Sequence, residues 1–393
     1  MTTPRAILLV GLAVLAAVPA IVAVPAAAAR TATPPLAIGV TESDPRLLVP
    51  SGPTKHIANK LVALRPDYVR VLVSWERIQP RAGRKPNWDV PAGGCPKVAP
   101  YCKSPHGLRG QLQAIKQRQD RDGGWKILAV PYFTPLWAMA GPPTGCQKAR
   151  SRHARAQMPR IAAYRTFLRG LNALADKVGV KIDYVTPWNE PNHPAFLQPQ
   201  RASCTSRAKA VAPQAYARLA RAAAKELRYE QTLVLGSLAG LGQSRVYGAG
   251  AAEFIRGLPR DVACLDGPFA QHAYIGRPGR GGANPPRANP ATAASSGLIG
   301  DVLAALDAKR CPTSKPLWIS ETGTFDRRCE AMSAALRSWA RNDRVEAAFQ
   351  YTFRESRDYP VGLVSPTLRQ VYPSYRAWLA FAGAPLQVPP SPC

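Results

Sequence analysis

Two glutamates stand at the ends of apolar segments in this chain of 393 residues, which contains ten glutamates in all. Glu190 closes the segment 183–190, and Glu321 closes the segment 316–321. A carboxylate at the end of a buried strand costs desolvation free energy unless a partner or a function retains it there. Two carboxylates that face each other across a pocket can hydrolyse a glycosidic bond. The simpler alternative is that each glutamate forms an ion pair with an arginine at its strand end.

Other polar residues also lie within or at the ends of apolar segments, namely Arg70, Asn189, His272 and Tyr274. In a double displacement, one carboxyl must begin protonated, which requires a pKa raised by burial and by the charge of the other carboxylate. The second must be ionised to attack, and a nearby arginine and a hydroxyl donor favour that state. A retaining pair lies about 5–5.5 Å apart and an inverting pair about 6.5–9.5 Å apart. This chemistry requires no metal and no cofactor, and we expect neither.

The pattern of apolar segments predicts the elements that position these residues. Eight β-rich segments alternate with amphipathic helical ones, which is typical of βαβ units and a parallel sheet. The sequence therefore predicts an α/β fold, a single (β/α)8 TIM barrel with long loops on its C-terminal face, where the active sites of such barrels lie. An open doubly wound sheet is less consistent, because no glycine-rich phosphate loop follows the first strand. The predicted strands are 36–40, 68–75, 126–133, 183–190, 232–237, 268–274, 316–321 and 345–353, and the main predicted helices are 108–122, 158–178, 214–229, 297–309 and 330–342.

Several short motifs resemble those of the clan A glycoside hydrolases, over nearly the whole chain from about Leu36 to Phe381. The motif Trp188-Asn189-Glu190-Pro191-Asn192 is similar to the Asn-Glu-Pro signature of the clan, and Trp318-Ile319-Ser320-Glu321 is similar to its nucleophile segment. The segment 68–80 and the motif Thr134-Pro135-Leu136-Trp137-Ala138 look most like family 39, the β-xylosidases and their exopolysaccharide-cleaving relatives. Cellulase-like members of family 5 are the second resemblance.

The resemblance implies a role for each matched residue of a retaining (β/α)8 enzyme. It implies that Glu190 is the acid/base and that Glu321 is the nucleophile. Asn189 would contact the sugar 2-hydroxyl, Tyr274 of the His272-x-Tyr274 pair would touch the nucleophile, and Arg70 would lie beside it. The chain departs from the family at the eighth strand, where members usually place a tryptophan under the sugar. Tyr351 or Phe353 is the candidate substitute. The third strand end also lacks the histidine of many cellulase-like members.

Tryptophans near strand ends are further candidates for substrate contact. Trp75, Trp137 and Trp188, with Trp88 as a weaker case, lie at or beyond predicted strand ends. Their rings either stack on sugar faces or simply cover the top of the barrel, and the sequence leaves both options open. His193 either lines the cleft or fixes the loop after the Asn-Glu-Pro turn.

The N-terminal residues predict export. Arg5 precedes the apolar stretch 6–24, and Ala27 and Ala29 fit an A-x-A cleavage site. We expect residues 1–29 to be a signal peptide, residues 36–393 to form the glycoside hydrolase catalytic domain, and the mature protein to be secreted. The alternative is an uncleaved membrane anchor, since the stretch approaches the length needed to span a bilayer. No other segment is long and apolar enough for stable membrane insertion.

The composition is that of a globular chain with an unusual excess of positive charge. It has 52 lysines and arginines against 24 acidic residues, a net charge of +28. Nucleic acid is not expected as a partner, because the arginines are dispersed and no lysine-rich tail is present. We expect a carbohydrate substrate, with anionic polysaccharide as a further expectation, and a monomer. The basic residues that would meet an anionic polymer are those of 148–155 together with Arg277, Arg280 and Arg287. The simpler interpretation, which we favour, is that they form a solvated arginine-rich surface.

The eight cysteines predict disulfide bonds in an exported chain, since none forms a CxxC pair of the kind that binds zinc. The order of elements in a barrel suggests four pairs. Cys146 and Cys204 follow neighbouring strands on the top face, and Cys264 and Cys311 precede neighbouring strands on the bottom face. Cys95–Cys102 is a local pair within one loop. Cys329–Cys393 remains by elimination.

Two classes of function are therefore consistent with the sequence. The first is a secreted retaining glycoside hydrolase that cleaves a poly- or oligosaccharide through a glycosyl-enzyme intermediate. The second is a non-catalytic carbohydrate-binding barrel of the cell wall or matrix, which the missing strand-eight tryptophan favours.

Overall fold

The parallel strands of the protein form one nearly closed barrel. The structure, a computed structural model, describes residues 36–90, 107–141, 145–146, 155–242, 246–276, 296–356, 359–383 and 388–393. Nine strand segments pair in parallel in the order β5-β4-β3-β2-β1-β9-β8-β7-β6, and β5 and β6 are separated only by Val234. They are β1 Ala37–Thr41, β2 Tyr68–Ser74, β3 Lys126–Tyr132, β4 Tyr184–Val185, β5 Thr232–Leu233, β6 Leu235–Leu238, β7 Phe269–His272, β8 Leu317–Thr322 and β9 Val345–Tyr351. The predicted (β/α)8 TIM barrel is confirmed.

Two of the predicted strands are shorter or broken. The fourth was expected over 183–190, but β4 contains only Tyr184–Val185. Pro187 has no N–H for the ladder, and the chain beyond it turns away from regular pairing. The fifth divides into β5 and β6, with Gly236 and Ser237 in the left-handed region of backbone conformation and a register shift between Gly236 and Leu238. Both irregularities lie in the strands that precede the C-terminal face of the barrel.

The described helices cover the outside of the barrel. They are α1 Pro45–Leu48, α2 Lys55–Ala63, α3 Trp75–Ile78, α4 Gly107–Asp122, α5 Ile161–Val178, α6 Ala212–Ala224, α7 Ala251–Gly257, α8 Arg260–Ala263, α9 Ser296–Asp307, α10 Cys329–Ala340 and α11 Ser374–Leu379. The predicted helix 158–178 begins later, at Ile161, because Met158 and Arg160 form extended backbone hydrogen bonds with Ala140 and Ala138. None of the described helices combines the length and the apolar character needed to cross a membrane.

Two apolar layers hold the barrel together. Valines and isoleucines on one face of the strands pack against the helices, and the opposite face fills the barrel interior. At the bottom of the interior, the Trp318 ring lies 4.9 Å from Tyr68, 4.8 Å from Tyr184 and 5.6 Å from Phe349, centroid to centroid. Because this aromatic layer closes the lower barrel, only the upper end can hold a ligand.

Three of the four expected disulfide bonds lie within the described residues. Cys146–Cys204, Cys264–Cys311 and Cys329–Cys393 have Cα separations of 4.7, 5.2 and 5.7 Å, within the usual range of about 4.4–6.8 Å. The first joins the loops that follow β3 and β4 on the top face. The second joins the segments before β7 and β8 on the bottom face. Cys95 and Cys102 lie outside the described residues.

Candidate active site

The two strand-end glutamates face each other at the top of the barrel. Glu190 follows β4 and Glu321 lies in β8, and a carboxylate oxygen of each lies within 4.8 Å of the other and of a His272 ring nitrogen. The Glu321 residue is 6% exposed, and the Glu190 side chain is 16% exposed. The structure thus brings together residues that are more than a hundred positions apart in the chain.

Glu321 is held by two donors on opposite oxygens. Arg70 Nη2 lies 2.6 Å from Glu321 Oε1, and the Tyr274 hydroxyl donates to Oε2. Arg70, which is fully buried in β2, also donates from Nη2 to Asn189 Oδ1 at 2.7 Å. The guanidinium therefore balances the carboxylate charge in a site with little solvent. It also orients the Asn189 amide so that its Nδ2 group points away from Arg70.

Glu190 occupies a left-handed backbone conformation with a φ of 41°, which is uncommon for a residue other than glycine. Its N–H donates to Ser237 O at 2.9 Å. Asn192 fixes the following turn, because its side-chain amide bonds to the backbone of Ala239 and Ala249. The turn after β4 is thus tied to the chain after β6, and the Glu190 side chain is directed over the barrel mouth.

Burial raises the pKa of the Glu190 carboxyl above its ordinary value, while the charges of His193 and Arg70 oppose the shift. Glu321, by contrast, is in direct contact with the Arg70 guanidinium. The two glutamates therefore occupy different electrostatic environments, which is the arrangement needed for one acid and one nucleophile.

His272 connects the two carboxylates. Its Nδ1 lies 2.9 Å from Glu190 Oε1 and 3.4 Å from Glu321 Oε2, and its Nε2 lies 3.0 Å from Ser237 Oγ. Burial lowers the pKa of His272 to about 4, although the Glu321 charge opposes this shift. The ring is therefore neutral at neutral pH. A neutral ring can accept a hydrogen bond from a protonated Glu190 or, as the other tautomer, donate to an ionised one.

Three tyrosines form an aromatic wall beside Glu321. Tyr351 belongs to the inward face of β9, and its ring centroid lies 6.3 Å from that of Tyr274 and 5.9 Å from that of Tyr359. Phe353 is instead fully buried in the outer apolar layer, so of the two candidate residues only Tyr351 lies on the inward face of β9. Burial raises the pKa of Tyr274, Tyr351 and Tyr359, so these hydroxyls remain protonated donors at neutral pH.

Tyr359 was missed by the sequence analysis. It lies in the loop after β9, 4.7 Å from the Tyr274 ring, and carries no strand or helix pattern. The only signal available was the adjacent Pro360, which indicates an ordered turn.

The tryptophans divide into two groups. Trp75 and Trp188 are fully buried; the Trp75 ring stacks on Phe167 at 4.8 Å, and Trp188 Nε1 donates to Phe196 O. They offer no exposed ring face to a sugar, because they fill the space between strands and helices, so for these two tryptophans substrate contact is not supported. Trp88 is half-buried and packs on the same Phe167 ring. Trp137 is also half-buried and donates from Nε1 to Gln79 O, so it remains a candidate for substrate contact.

An aromatic pair that the sequence analysis did not identify lies on the Glu190 side. The rings of Phe133 and Phe196 stack at 5.3 Å with an interplanar angle of 7°, and both residues are half-buried. The Arg155 guanidinium lies 4.1 Å from the Phe133 ring centroid. The Phe196 ring centroid lies 6.1 Å from that of His193, whose charge acts on Glu190, so this pair belongs to the loop that follows Glu190.

Glu190, His272 and Glu321 are also close enough to share a metal ion. However, Arg70 and Tyr274 already bond the two Glu321 oxygens, and a guanidinium at 2.6 Å opposes a second cation. The site is therefore better suited to proton transfer and nucleophilic attack than to metal binding.

Comparisons with known proteins support the fold. No family model and no curated protein sequence matches the chain. Among solved structures, a family 39 glycoside hydrolase from the gut symbiont Bacteroides cellulosilyticus WH2 is 16% identical, with a TM-score of 0.50 over 89% of this chain. The chain spans 64% of the length of that protein.

Two family 30 enzymes have a similar fold. The catalytic domain of xylanase C from Talaromyces cellulolyticus is 13% identical, with a TM-score of 0.54 over 92% of this chain and 77% of its own. An endoxylanase from Clostridium papyrosolvens C71 is 14% identical, with a TM-score of 0.51 over 90% of this chain and 72% of its own. At these identities the comparisons establish a shared (β/α)8 barrel fold, as the sequence resemblance predicted.

Proposed function

We propose that the protein is a retaining glycoside hydrolase that cleaves a poly- or oligosaccharide by double displacement. The observation that carries the proposal is the approach of the Glu190 and Glu321 oxygens to within 4.8 Å. This approach is closer to the separation of about 5–5.5 Å between retaining carboxyl groups than to the roughly 6.5–9.5 Å of inverting ones, which supports the retaining mechanism. The glycoside hydrolase fold of the neighbouring structures is consistent with it.

In the first step, Glu321 Oε attacks the anomeric carbon while the protonated Glu190 carboxyl donates its proton to the leaving oxygen. The glycosidic C–O bond breaks and a glycosyl ester with Glu321 forms. Arg70 and Tyr274 hold the nucleophile in position, and the raised pKa of Glu190 keeps the acid protonated. Asn189 is placed to donate from Nδ2 to the sugar hydroxyl next to the anomeric centre.

In the second step, Glu190 acts as a base and takes a proton from water, whose oxygen attacks the anomeric carbon and releases Glu321. The ester has removed the negative charge of Glu321, and Glu190 is now ionised. His272 fits both stages, because its two neutral tautomers pair with the protonated and ionised forms of Glu190. Tyr351 supplies the floor for the cleaved sugar, and the Phe133–Phe196 pair is placed to stack on the leaving part.

Azide rescue tests the two roles. With an activated aryl glycoside, Glu321→Gly is expected to lose hydrolysis and, with azide, to form a glycosyl azide of inverted configuration. Glu190→Ala should instead form the retained glycosyl azide, because azide then attacks the glycosyl-enzyme. The exchanged pattern would mean that the roles are reversed. Sugar binding with no hydrolysis by the wild-type protein would support the non-catalytic carbohydrate-binding alternative.

We also propose that the protein is exported with cleavage of residues 1–29. The three disulfide bonds are compatible with an oxidising compartment. N-terminal sequencing of protein from the culture medium of the source cells should give Arg30 as the first residue. Retention of the N-terminal segment in the membrane fraction would support the anchor alternative.

A further inference from the structure

A small polar pocket opens beside the candidate active site. It has a cavity volume of about 20 Å³, room for one water molecule or one hydroxyl group, and lies between the ends of β1, β2 and β9 and the first turns of α4. We call it the Gln111 pocket. It is lined by Thr41, Glu42, Ser43, Leu72, Gln111, Thr352 and Arg354.

The register of the sheet places this pocket next to the nucleophile side of the site. Thr41 is the direct partner of Arg70 on β2 and of Tyr351 on β9. Thr352 follows Tyr351, and Leu72 lies on the same face of β2 as Arg70. A ligand that extends from the Tyr351 side of the site, away from Glu190, would therefore reach the pocket.

Two buried polar atoms in the pocket have no hydrogen-bond partner within the described part of the chain. They are Thr41 Oγ1 and Gln111 Oε1, in residues that are 3% and 1% exposed. A buried oxygen left without a partner costs free energy, so native proteins normally satisfy it with a group or a ligand. Both residues line the pocket, so a ligand hydroxyl bound there can replace the water that would otherwise satisfy these oxygens.

The orientation of Gln111 is fixed by its own backbone contact. Gln111 Nε2 donates to Glu42 O at 2.7 Å, so the amide oxygen is the atom that remains for the pocket. An amide oxygen can only accept, and its partner must therefore carry a donor hydrogen.

The charges around the pocket give an anion no net attraction. Glu42 accepts hydrogen bonds from the backbone N–H groups of Ser43, Asp44 and Arg354, although burial raises the pKa of its carboxyl. Asp44 forms ion pairs with Arg354 at 3.4 Å and with Arg46 at 3.1 Å, so two carboxyl groups stand with two guanidinium groups. An incoming carboxylate would also meet, at Gln111 Oε1, an acceptor oxygen that it cannot bond.

We propose that the Gln111 pocket binds a hydroxyl group of a neutral sugar, on the non-reducing side of the sugar that is cleaved. The proposal rests on the proposed glycosidase function and adds to it the substrate class at one position. The sugar hydroxyl donates to Gln111 Oε1 and accepts from the Thr41 hydroxyl. A uronate at this position is rejected, even where the polymer carries negative charge elsewhere.

The first experiment compares aryl β-glycosides that carry one sugar with those that carry two, as xyloside–xylobioside and glucoside–cellobioside pairs. The wild-type protein should show a kcat/KM at least about tenfold higher for the two-sugar compound of the pair it cleaves. Thr41→Val keeps the side-chain shape and should reduce this ratio about three- to tenfold, because one hydrogen bond to the ligand is lost. Leu72→Phe should reduce the ratio further, because the larger side chain narrows the opening of the Gln111 pocket.

Folding of these variants can be checked against a matched control. Thr41→Val is expected to fold normally, because the hydroxyl has no partner to lose among the described residues. Ser374→Ala removes another buried hydroxyl without a described partner, in α11 and away from the site, and should leave the ratio and the basal activity unchanged. An unchanged ratio in both Thr41→Val and Leu72→Phe would overturn the proposal.

A second arm tests the chemical class. Oxidation of the terminal sugar of the two-sugar compound at C6, or its replacement by a uronate where it has no C6 hydroxyl, should lower kcat/KM at least about tenfold. Equal or faster cleavage of the uronate would overturn the proposal. A crystal structure of Glu190→Gln with the disaccharide that shows only water between Thr41 and Gln111 would do the same.

Failure of the glycosidase proposal can be recognised separately. If the wild-type protein hydrolyses none of these compounds, calorimetric binding of xylobiose and cellobiose to the wild type and to Thr41→Val tests the pocket alone. Weaker binding by Thr41→Val would support it. Equal binding by both proteins, or binding by neither, would overturn it.

Discussion

At the scale of residues, neighbouring groups give the two glutamate side chains of the site different electrostatic surroundings. The Glu321 carboxylate forms an ion pair with Arg70, whereas the Glu190 carboxyl lies against the neutral ring of His272. The same carboxyl group can therefore act as nucleophile in one position and as acid in the other. His272 contacts both carboxylates, and Arg70 bonds Glu321 and Asn189, so a change at one residue is expected to affect several others.

His272 should make the stability of the fold depend on pH. Its pKa is about 4 in the folded protein against 6.5 in a model compound, so between these values the unfolded chain binds a proton that the folded protein does not. The free energy of unfolding is therefore expected to fall by up to about 3 kcal/mol as pH decreases from 6.5 to 4. Urea titrations across this range would measure it. His272→Gln should lack this contribution, and an identical pH slope in the variant would contradict the assignment.

Glu190 should control the alkaline side of the activity profile. Because burial raises its pKa, the protonated acid persists to a higher pH than an exposed glutamate would allow. The rate of glycosyl-enzyme formation is expected to decrease as pH rises through this pKa. Glu190→Gln should still form the glycosyl-enzyme from a dinitrophenyl glycoside, because this leaving group needs no protonation. The rate for this variant should show little of the decrease with rising pH. A profile for Glu190→Gln that keeps the wild-type alkaline limb would argue against Glu190 as the acid.

At the scale of elements, the lower barrel is fixed by close packing between β1 and β9. A Cβ atom on Gly39 would lie 2.2 Å from Phe349 Cδ1, and the Phe349 ring is itself enclosed by Tyr68 and Trp318. Gly39 thus provides the space that lets four large aromatic rings share the bottom of the barrel. The upper barrel is less regular, because β4 and β5 are short and the register shifts after Gly236. The chain there leaves the regular strand geometry and positions the side chains of the site.

Gly39→Ala is expected to destabilise the protein by about 1–3 kcal/mol, because the ring cannot move without disturbing its neighbours. Gly300→Ala is a suitable control, since a Cβ there has no atom within 4 Å and the position is in a helix. It should be neutral or stabilise by up to about 1 kcal/mol. Thermal and urea unfolding would measure both. Equal effects of the two changes would refute the packing argument.

At the scale of the whole molecule, the disulfide bonds divide between the two ends of the barrel. Cys146–Cys204 joins loops that border the site, whereas Cys264–Cys311 lies on the opposite face. Each of these two bonds closes a loop of about fifty residues. In the chain-entropy model, a bond that closes a loop of this length stabilises the folded protein by about 4 kcal/mol. The Cys329–Cys393 bond joins the C-terminus to α10.

Paired serine substitutions should separate these roles. Replacement of Cys264 and Cys311 by serine is expected to lower the unfolding free energy but to leave kcat/KM nearly unchanged, because the bond is remote from the site. Replacement of Cys146 and Cys204 should lower both stability and kcat/KM, because the cleft wall after β3 and β4 is released. A larger loss of kcat/KM in the Cys264/Cys311 variant would contradict this division.

The net charge of +28 led to the expectation of an anionic polysaccharide partner, which stays a prediction. Of the basic top-face residues that the sequence suggested for anionic polymers, only Arg155 lies within the described residues, where it packs over Phe133 and lies 3.6 Å from Glu76. A preference for anionic polysaccharide would weaken with added salt, since Debye screening acts on exposed charges.

The sequence by itself determined the barrel, the two glutamates that meet at its top and three of the disulfide bonds found here. Alternating apolar strands and helices allow few topologies, and a buried strand that ends in Glu321 or precedes Pro191 is conspicuous without coordinates. Only the tertiary structure decided which aromatic residues line the cleft. Trp75, Trp188 and Tyr351 all lie at or near the ends of predicted strands. Whether each side chain points into the barrel or towards the helices depends on the pleat and the bulges of its strand. Tyr359 and Gln111 reach the site from a loop and a helix, and such long-range placement leaves no local pattern to read.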